Sequence, residues 1–218
     1  MLAGRMLSRD PPHSESKGIV MDTLEATIPR PYRHGDVPNA MRAAVRDILE
    51  KDGSHDAGLR ETARRVGVSA TAAYRHFSSK EDLFASVAAQ GFRELSAAMK
   101  AGADPLVGLG LGLAYVEFAL KQPGLFRLMF GPLLTVRAKY PALREAAGET
   151  FDLLQSVVAA VDDPAYEQNA AAMAAWGLMH GLSSLFIDGV VPEANVHAMA
   201  ERILARGGSP RPEPLPAS

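Results

Sequence analysis

The chain has 218 residues, 47% of them hydrophobic and 22% charged, with a formal net charge of −2 and no cysteine. This is ordinary globular composition, long enough for one or two domains with a real core, and the missing thiols exclude a disulfide scaffold, a thiolate metal site and a cysteine nucleophile. No run reads as the roughly 18 apolar residues a bilayer requires, and Arg5, Arg9 and Asp10 interrupt any signal-like opening, so a soluble, cytoplasmic protein without a membrane partner is expected.

Residues 1–31 carry Pro11, Pro12, Pro29 and Pro31 among Ser and Lys, with no sustained apolar period, and read as a disordered N-terminal arm. Met6 and Met21 leave the true start of translation open between Met1, Met6 and Met21. From Asp36 onward, helix punctuation repeats with little strand alternation between the marks. Asp36 or Val37 before Pro38 opens a first helix that stops at Gly53. Leu59, Ala63 and Val66 fall at i, i+4 and i+7, giving a short second helix that ends at Gly67. Ser69 can cap a third, over 70–77. The run Ser78-Ser79-Lys80-Glu81-Asp82 offers overlapping capping boxes, Ser78 with Glu81 or Ser79 with Asp82, and launches a long helix to about Lys100.

Asp104-Pro105 and Asp163-Pro164 each place a cap before a proline, opening helices over 105–122 and 164–188, while Pro123, Pro141 and Pro192 open helices at 123–130, 141–161 and 192–207. Gly207-Gly208 ends the last of them, and the Pro-rich residues 207–218 read as a disordered tail. The pattern predicts an all-α fold of about nine helices. The helices divide into an N-terminal three-helix domain over 36–96 and a C-terminal helical bundle over 97–206.

The chemistry is concentrated in residues 59–84. A short turn containing a glycine, Gly67-Val68-Ser69, sets two short helices at a steep angle, as in a helix-turn-helix. Leu59, Ala63, Val66, Val68, Ala73 and Phe77 are expected to face inward. Small residues at 70–73 let the third helix sit deep in a major groove, where Thr71, Tyr74 and Arg75, at i, i+3 and i+4, share the outward face. The net charge conceals a local patch: Arg60, Arg64, Arg65, Arg75 and Lys80 stand within 59–80 against Glu61 alone. Arg64 is a candidate base or phosphate contact, with a solvated helix face as its plainer reading. Arg33, just before the first helix, is a further candidate phosphate contact.

This segment resembles the TetR family, whose second to fourth helices carry a closely similar pattern of Tyr74, His76, Phe77, Ser79 and Lys80 after the Gly67 turn. Tyr32-Arg33-His34-Gly35-Asp36 and the later Trp176-Gly177-Leu178-Met179-His180-Gly181 resemble one branch of that family, so the likeness covers about residues 32–206. The resemblance implies that Tyr74, His76 and Lys80 contact phosphates. It also implies a homodimer through the last two helices, and a small, apolar effector held among helices four to eight, for which Phe92, Phe118, Phe126, Trp176 and His180 are candidates. Ala72 departs from the family, which often has threonine there, as does Thr62, where the family usually has valine or isoleucine.

The implied function is a sequence-specific DNA-binding transcriptional regulator, a repressor released from operator DNA by a small molecule. A regulator answering to a partner protein is the rival reading, and a cavity of several hundred Å³ in the bundle would favour the small molecule. A helical enzyme binding a phosphorylated substrate would need a catalytic constellation. None is legible, and no cofactor or metal is expected. Gly108, Gly110 and Gly112 lack the spacing and the preceding strand of a dinucleotide site. His180 reads as an interior histidine with a hydrogen-bond partner rather than a metal ligand.

Overall fold

A computed structural model describes residues 36–52, 58–102, 109–159, 168–192 and 196–207, all within one unit of contacts, Tyr32–Ser218. The N-terminal arm, Arg33, the proline caps at 104–105 and 163–164 and the tail beyond 207 lie outside the described residues. Every described element is helical. Three build the head: α1 (Val37–Asp52), α2 (Leu59–Val66) and α3 (Ala70–Tyr74). Helix α4 (Lys80–Gly102) leads from the head into the bundle of α5 (Leu109–Lys121), α6 (Pro123–Met129), α7 (Pro132–Thr135), α8 (Pro141–Ala159), α9 (Gln168–Ile187) and α10 (Val196–Gly207).

The nine expected helices are present, and the single-turn α7 is an addition. Pro132 at its N1 position and a 3₁₀ turn at Arg137–Lys139 fill what the sequence leaves as a loop.

Local chemistry sets the boundaries. Asp36 caps α1 by accepting the Asn39 N–H at 3.2 Å, and hydrogen bonds from Asn39 hold its carboxyl below the usual range. Gly67 adopts φ +75°, a left-handed conformation that favours glycine, and with Val68 returns N–H bonds to Ala63 and Arg64 at the end of α2. Ser69 accepts from the Ala72 N–H at 3.1 Å to start α3. That helix ends at Tyr74, short of the expected 77, because the N–H groups of His76 and Phe77 both turn onto the Ala73 carbonyl. Of the alternative capping boxes, the structure takes Ser79 with Asp82: Ser79 Oγ accepts the Asp82 N–H at 3.1 Å, while the Asp82 carboxylate accepts from the Ser78 N–H at 2.9 Å.

One apolar core runs from Met41, Val45 and Leu49 of α1, past Phe77, along α4 to Met179 of α9. Helix α4 packs most extensively on α8 and α5. The boundary expected at 96–97 therefore falls inside a continuous helix. A smaller core joins Val116 of α5 to Leu182 and Phe186 of α9 and Val196 and Ala200 of α10.

Helix α9 corrects the reading that no segment is long and apolar enough for a bilayer. Ala170–Ile187 reaches that length with a mean hydropathy of 1.4. Alanine, glycine and serine hide it in sequence, because no continuous stretch of large apolar side chains marks it. Its inner side packs on α5, α8 and α10, and its outer side leaves Met173 and Leu185 exposed.

Candidate DNA-binding surface and ligand site

Helix α3 is held by its inner residues and displays the others. Ala73 and Phe77 are buried with Leu59 and Ala63 of α2, and Val66 and Val68 pack against them. Thr62 replaces the apolar residue expected at its position. It is wholly buried and satisfies its hydroxyl by donating to the Gly58 carbonyl, one turn back, at 3.1 Å. The opposite side leaves Thr71, Tyr74, Arg75 and His76 exposed, with Tyr74 at 48%. A large aromatic side chain left in water beside a guanidinium and an imidazole suits a nucleic-acid surface better than a core.

Lys80 begins α4, with its ammonium 5.5 Å from the centre of the buried Phe84 ring. This contact orders the charged side chain against the start of the helix. Arg64 is already engaged: it donates through Nε and Nη2 to Glu61 at 2.9 and 2.7 Å, and Arg65 adds a longer bond at 3.3 Å. The Arg64 hydrogen bonds, with those of Arg65, hold the Glu61 carboxyl below its ordinary range. A phosphate reaching Arg64 has to compete with that carboxylate.

The bundle holds a cluster of rings. Tyr115 of α5, Phe126 of α6, Phe130 beyond it, and Trp176 and His180 of α9 meet with ring centres 4.7–6.2 Å apart. Phe92 of α4 joins through Phe130 at 5.2 Å, and Phe151 of α8 through Trp176 at 6.0 Å. Within the cluster the indole Nε1–H of Trp176 donates to the Tyr115 oxygen at 3.2 Å, and the Tyr115 hydroxyl lies 3.1 Å from Nδ1 of His180. Burial raises the Tyr115 phenol, which stays protonated, and lowers His180, which is held neutral. Trp176 can only donate, so the arrangement that satisfies the buried groups has Tyr115 donating to Nδ1, with the imidazole proton on Nε2.

Four of the five candidate ligand residues, Phe92, Phe126, Trp176 and His180, thus converge. Phe118 does not join these ring pairs. It borders an open depression of about 320 Å³ between α4 and α5, with Ala98, Ala114 and Lys121. Tyr115, Phe130 and Phe151 are members of the cluster that sequence reasoning missed. Tyr115 had one usable signal, an aromatic hydroxyl in the middle of a largely apolar helix, which needs a buried partner. A second open depression, of about 460 Å³, lies beside Asn39, Ala43, Arg46 and Gln90. Among the described residues no group of His, Asp and Glu could hold a metal ion.

Comparison with known proteins agrees with this geometry. Residues 41–87 match the family described as bacterial regulatory proteins, tetR family, and residues 109–206 match the tetracyclin repressor-like C-terminal domain. No curated protein sequence matches the chain. A solved structure of a protein of unknown function from Rhodococcus sp. RHA1 is 29% identical, with a TM-score of 0.66 over 82% of this chain and 98% of that one. A bacterial regulatory protein of the tetR family from Rhodococcus RHA1 is 19% identical, with a TM-score of 0.60 over 78% of this chain and 94% of that one. The multidrug binding protein EbrR, solved with imidazole, is 22% identical, with a TM-score of 0.54 over 83% of this chain and 97% of that one. The last two likenesses speak to the fold alone. With both domain families matched in the expected order, the chain belongs to the TetR family of DNA-binding transcriptional regulators.

Proposed function

We propose that the chain is a cytoplasmic, homodimeric repressor that leaves its operator when a small, largely apolar effector enters the aromatic cluster. The carrying observation is α3 with the turn that follows it, locked on the inside by Ala73 and Phe77 while Thr71, Tyr74, Arg75 and His76 stand in solvent. Tyr74, His76 and Lys80 fit phosphate contacts, and Thr71 and Arg75 fit contacts to base edges. One such helix buries too little surface for specific affinity, so two heads on half-sites a helical turn apart are required. The exposed side of α9 supplies a face for the second copy.

The effector reading rests on the cluster's chemistry, rings surrounding one buried hydroxyl and one neutral imidazole, a composition suited to an apolar molecule with few polar groups. An effector that enters among rings in mutual contact displaces some of them, and its binding is then tied to a change of shape. It lowers operator affinity only as far as it prefers the displaced state. The mutual contact of the rings favours a second reading, a regulator that answers to no small molecule.

The test begins with selection of bound duplexes from a randomised library by the purified protein. A two-fold symmetric motif is expected, and a protein that enriches no motif is not this kind of regulator. A thermal-shift screen of apolar compounds against the same protein then separates the two readings. Compounds that raise the melting temperature and release the selected duplex support the effector. Release by none of them favours the second reading.

A further inference from the structure

Helix α2 carries Arg60, Glu61, Arg64 and Arg65 within eight residues. Glu61 is the one acid between Leu59 and Lys80. It precedes Arg64 by three residues and Arg65 by four, the spacings at which helix side chains meet. The contact is more exact than spacing demands. Arg64 sets Nε on one carboxylate oxygen of Glu61 at 2.9 Å and Nη2 on the other at 2.7 Å, a matched pair of charge-assisted bonds. Arg65 reaches the oxygen already bound by Nη2, through its own Nε at 3.3 Å. One carboxylate thus occupies donors of two arginines.

This arrangement does little for the fold. Arg64 and Arg65 are exposed and Glu61 is partly so, and ion pairs in water contribute little stability. Its consequence is the charge that α2 offers to its surroundings. With Leu59, Thr62 and Ala63 buried, α2 packs on α3. A helix of this length spans about 12 Å, close to the distance of about 8–10 Å over which charges are felt at ordinary salt. A duplex docked on α3 therefore lies within the field of these side chains.

From this geometry we infer that Glu61 is an electrostatic brake on DNA binding, which keeps Arg64, and in part Arg65, off the phosphate backbone and so limits the phosphate contacts of each head. The inference rests on the reading of α2 and α3 as the DNA face. A phosphate offers the Arg64 guanidinium the same pair of acceptor oxygens that Glu61 does, so the fork serves one or the other. The bond to Glu61 is intramolecular and stands before any duplex arrives. Operator and random DNA alike have to break it to gain the extra contact. Phosphate contacts supply affinity without sequence, so the brake weakens binding to every duplex and leaves the base contacts of α3 as they are. Glu61 itself touches no DNA; it acts by positioning Arg64.

The experiment measures the affinity of the full-length protein for the selected operator duplex and for a scrambled duplex over a range of salt concentrations. Glu61→Gln removes the charge and keeps the size. It is expected to bind both duplexes several-fold more tightly than wild type, with the slope of log affinity against log salt steeper by about one per half-site. Arg64→Ala is expected to leave the wild-type slope nearly unchanged. In Glu61→Gln/Arg64→Ala the added slope should vanish, and Glu61→Asp, which restores a carboxylate, should keep the wild-type slope.

A gain from Glu61→Gln that is equal with and without Arg64 shows the carboxylate acting through its field alone, and overturns the inference. So does a Glu61→Gln protein with a lowered melting temperature and an unchanged slope, which marks a structural role. Arg64→Ala tests the claim without touching Glu61, should the glutamine variant fail to fold. A loss of slope as large as that of Lys80→Ala would place Arg64 on a phosphate already and remove the brake. A wild type that binds no selected duplex removes the DNA-binding reading first, and the brake falls with it.

Discussion

The hydroxyl of Tyr115 on α5 and Nδ1 of His180 on α9 lie 3.1 Å apart although 65 residues separate them in sequence. Phe126 stacks on the same imidazole at 5.2 Å, with its plane inclined by 27°. The bond therefore forms inside a partly dehydrated ring cluster, which favours the neutral imidazole over the charged one.

Acid is expected to act on the protein through this site. Burial lowers the proton affinity of His180 below its ordinary value of 6.5. As pH falls through 6.5 the unfolded chain takes up the proton before the folded chain does, so this contribution to stability is complete above that value. It is lost as pH falls from there towards the folded pKa. Melting temperatures at about pH 7.5 and about pH 5.5 test this, with the pH-dependent drop smaller in His180→Gln than in the wild type. An equal drop in both proteins would place the acid sensitivity elsewhere.

Thr62 and Phe77 should respond very differently to substitution although both are buried in the head. Thr62→Val removes a hydroxyl whose acceptor, the Gly58 carbonyl, keeps its bond from the Thr62 backbone N–H at 3.0 Å. No buried group loses its last partner, so the change should alter stability by less than about 1 kcal/mol. Phe77→Ala empties a site that is only 5% exposed and should cost about 3–5 kcal/mol. Chemical denaturation measures both, and a large loss for Thr62→Val would contradict this account of the turn.

The head was more legible in sequence than the bundle, for a physical reason. Its interactions are local: Gly67, Ser69, Ser79 and Asp82 act within four residues of themselves, so their chemistry can be read along the chain. Even there, the choice between the capping serines and the early end of α3 depended on which carbonyl each N–H found. The ring cluster draws one or two residues each from α4, α5, α6, α8 and α9. Nothing in the spacing of Tyr115, Phe130 or Phe151 announces that they meet, and nothing in that of Phe118 announces that it stays apart. The ties of Glu50 to Gly124 and of Arg46 to Gln122 span more than seventy residues and are equally silent in sequence.

On the proposed DNA face, Tyr74→Ala and Lys80→Ala should weaken binding to all duplexes about equally, since the role proposed for each is a phosphate contact. The Lys80 change should also reduce the slope of log affinity against log salt by about one per half-site. Thr71→Ala and Arg75→Ala should instead cost roughly 1–3 kcal/mol at particular base pairs and relax the preference there. Arg64→Ala should have a smaller effect than Lys80→Ala, because Arg64 gives up Glu61 to reach a phosphate. Competition titrations across a panel of mutated operators read all five, and wild-type affinity and specificity in every variant would remove α3 as the reading helix.

The second copy should dock on α9. Met173 and Leu185 on that helix are about half exposed, and Ala174 and Gly177 lie open between them. A Cβ built at Gly177 or Gly181 meets nothing within 4 Å among the described residues, whose packing therefore does not require the glycines. Glycines on an open, apolar helix face allow a partner helix to approach closely, and burying such a face favours association. Gly177→Glu should therefore leave the single chain folded, since its side chain enters open space, but should place a carboxylate in the interface. Light scattering should give about twice the 23.2 kDa chain mass for the wild type, and close to the single mass for the variant. The variant should keep its helical circular dichroism and lose high-affinity binding to a two-half-site operator, because one head alone holds too little surface. A variant that stays at the dimeric mass with full operator affinity would move the interface off this face of α9.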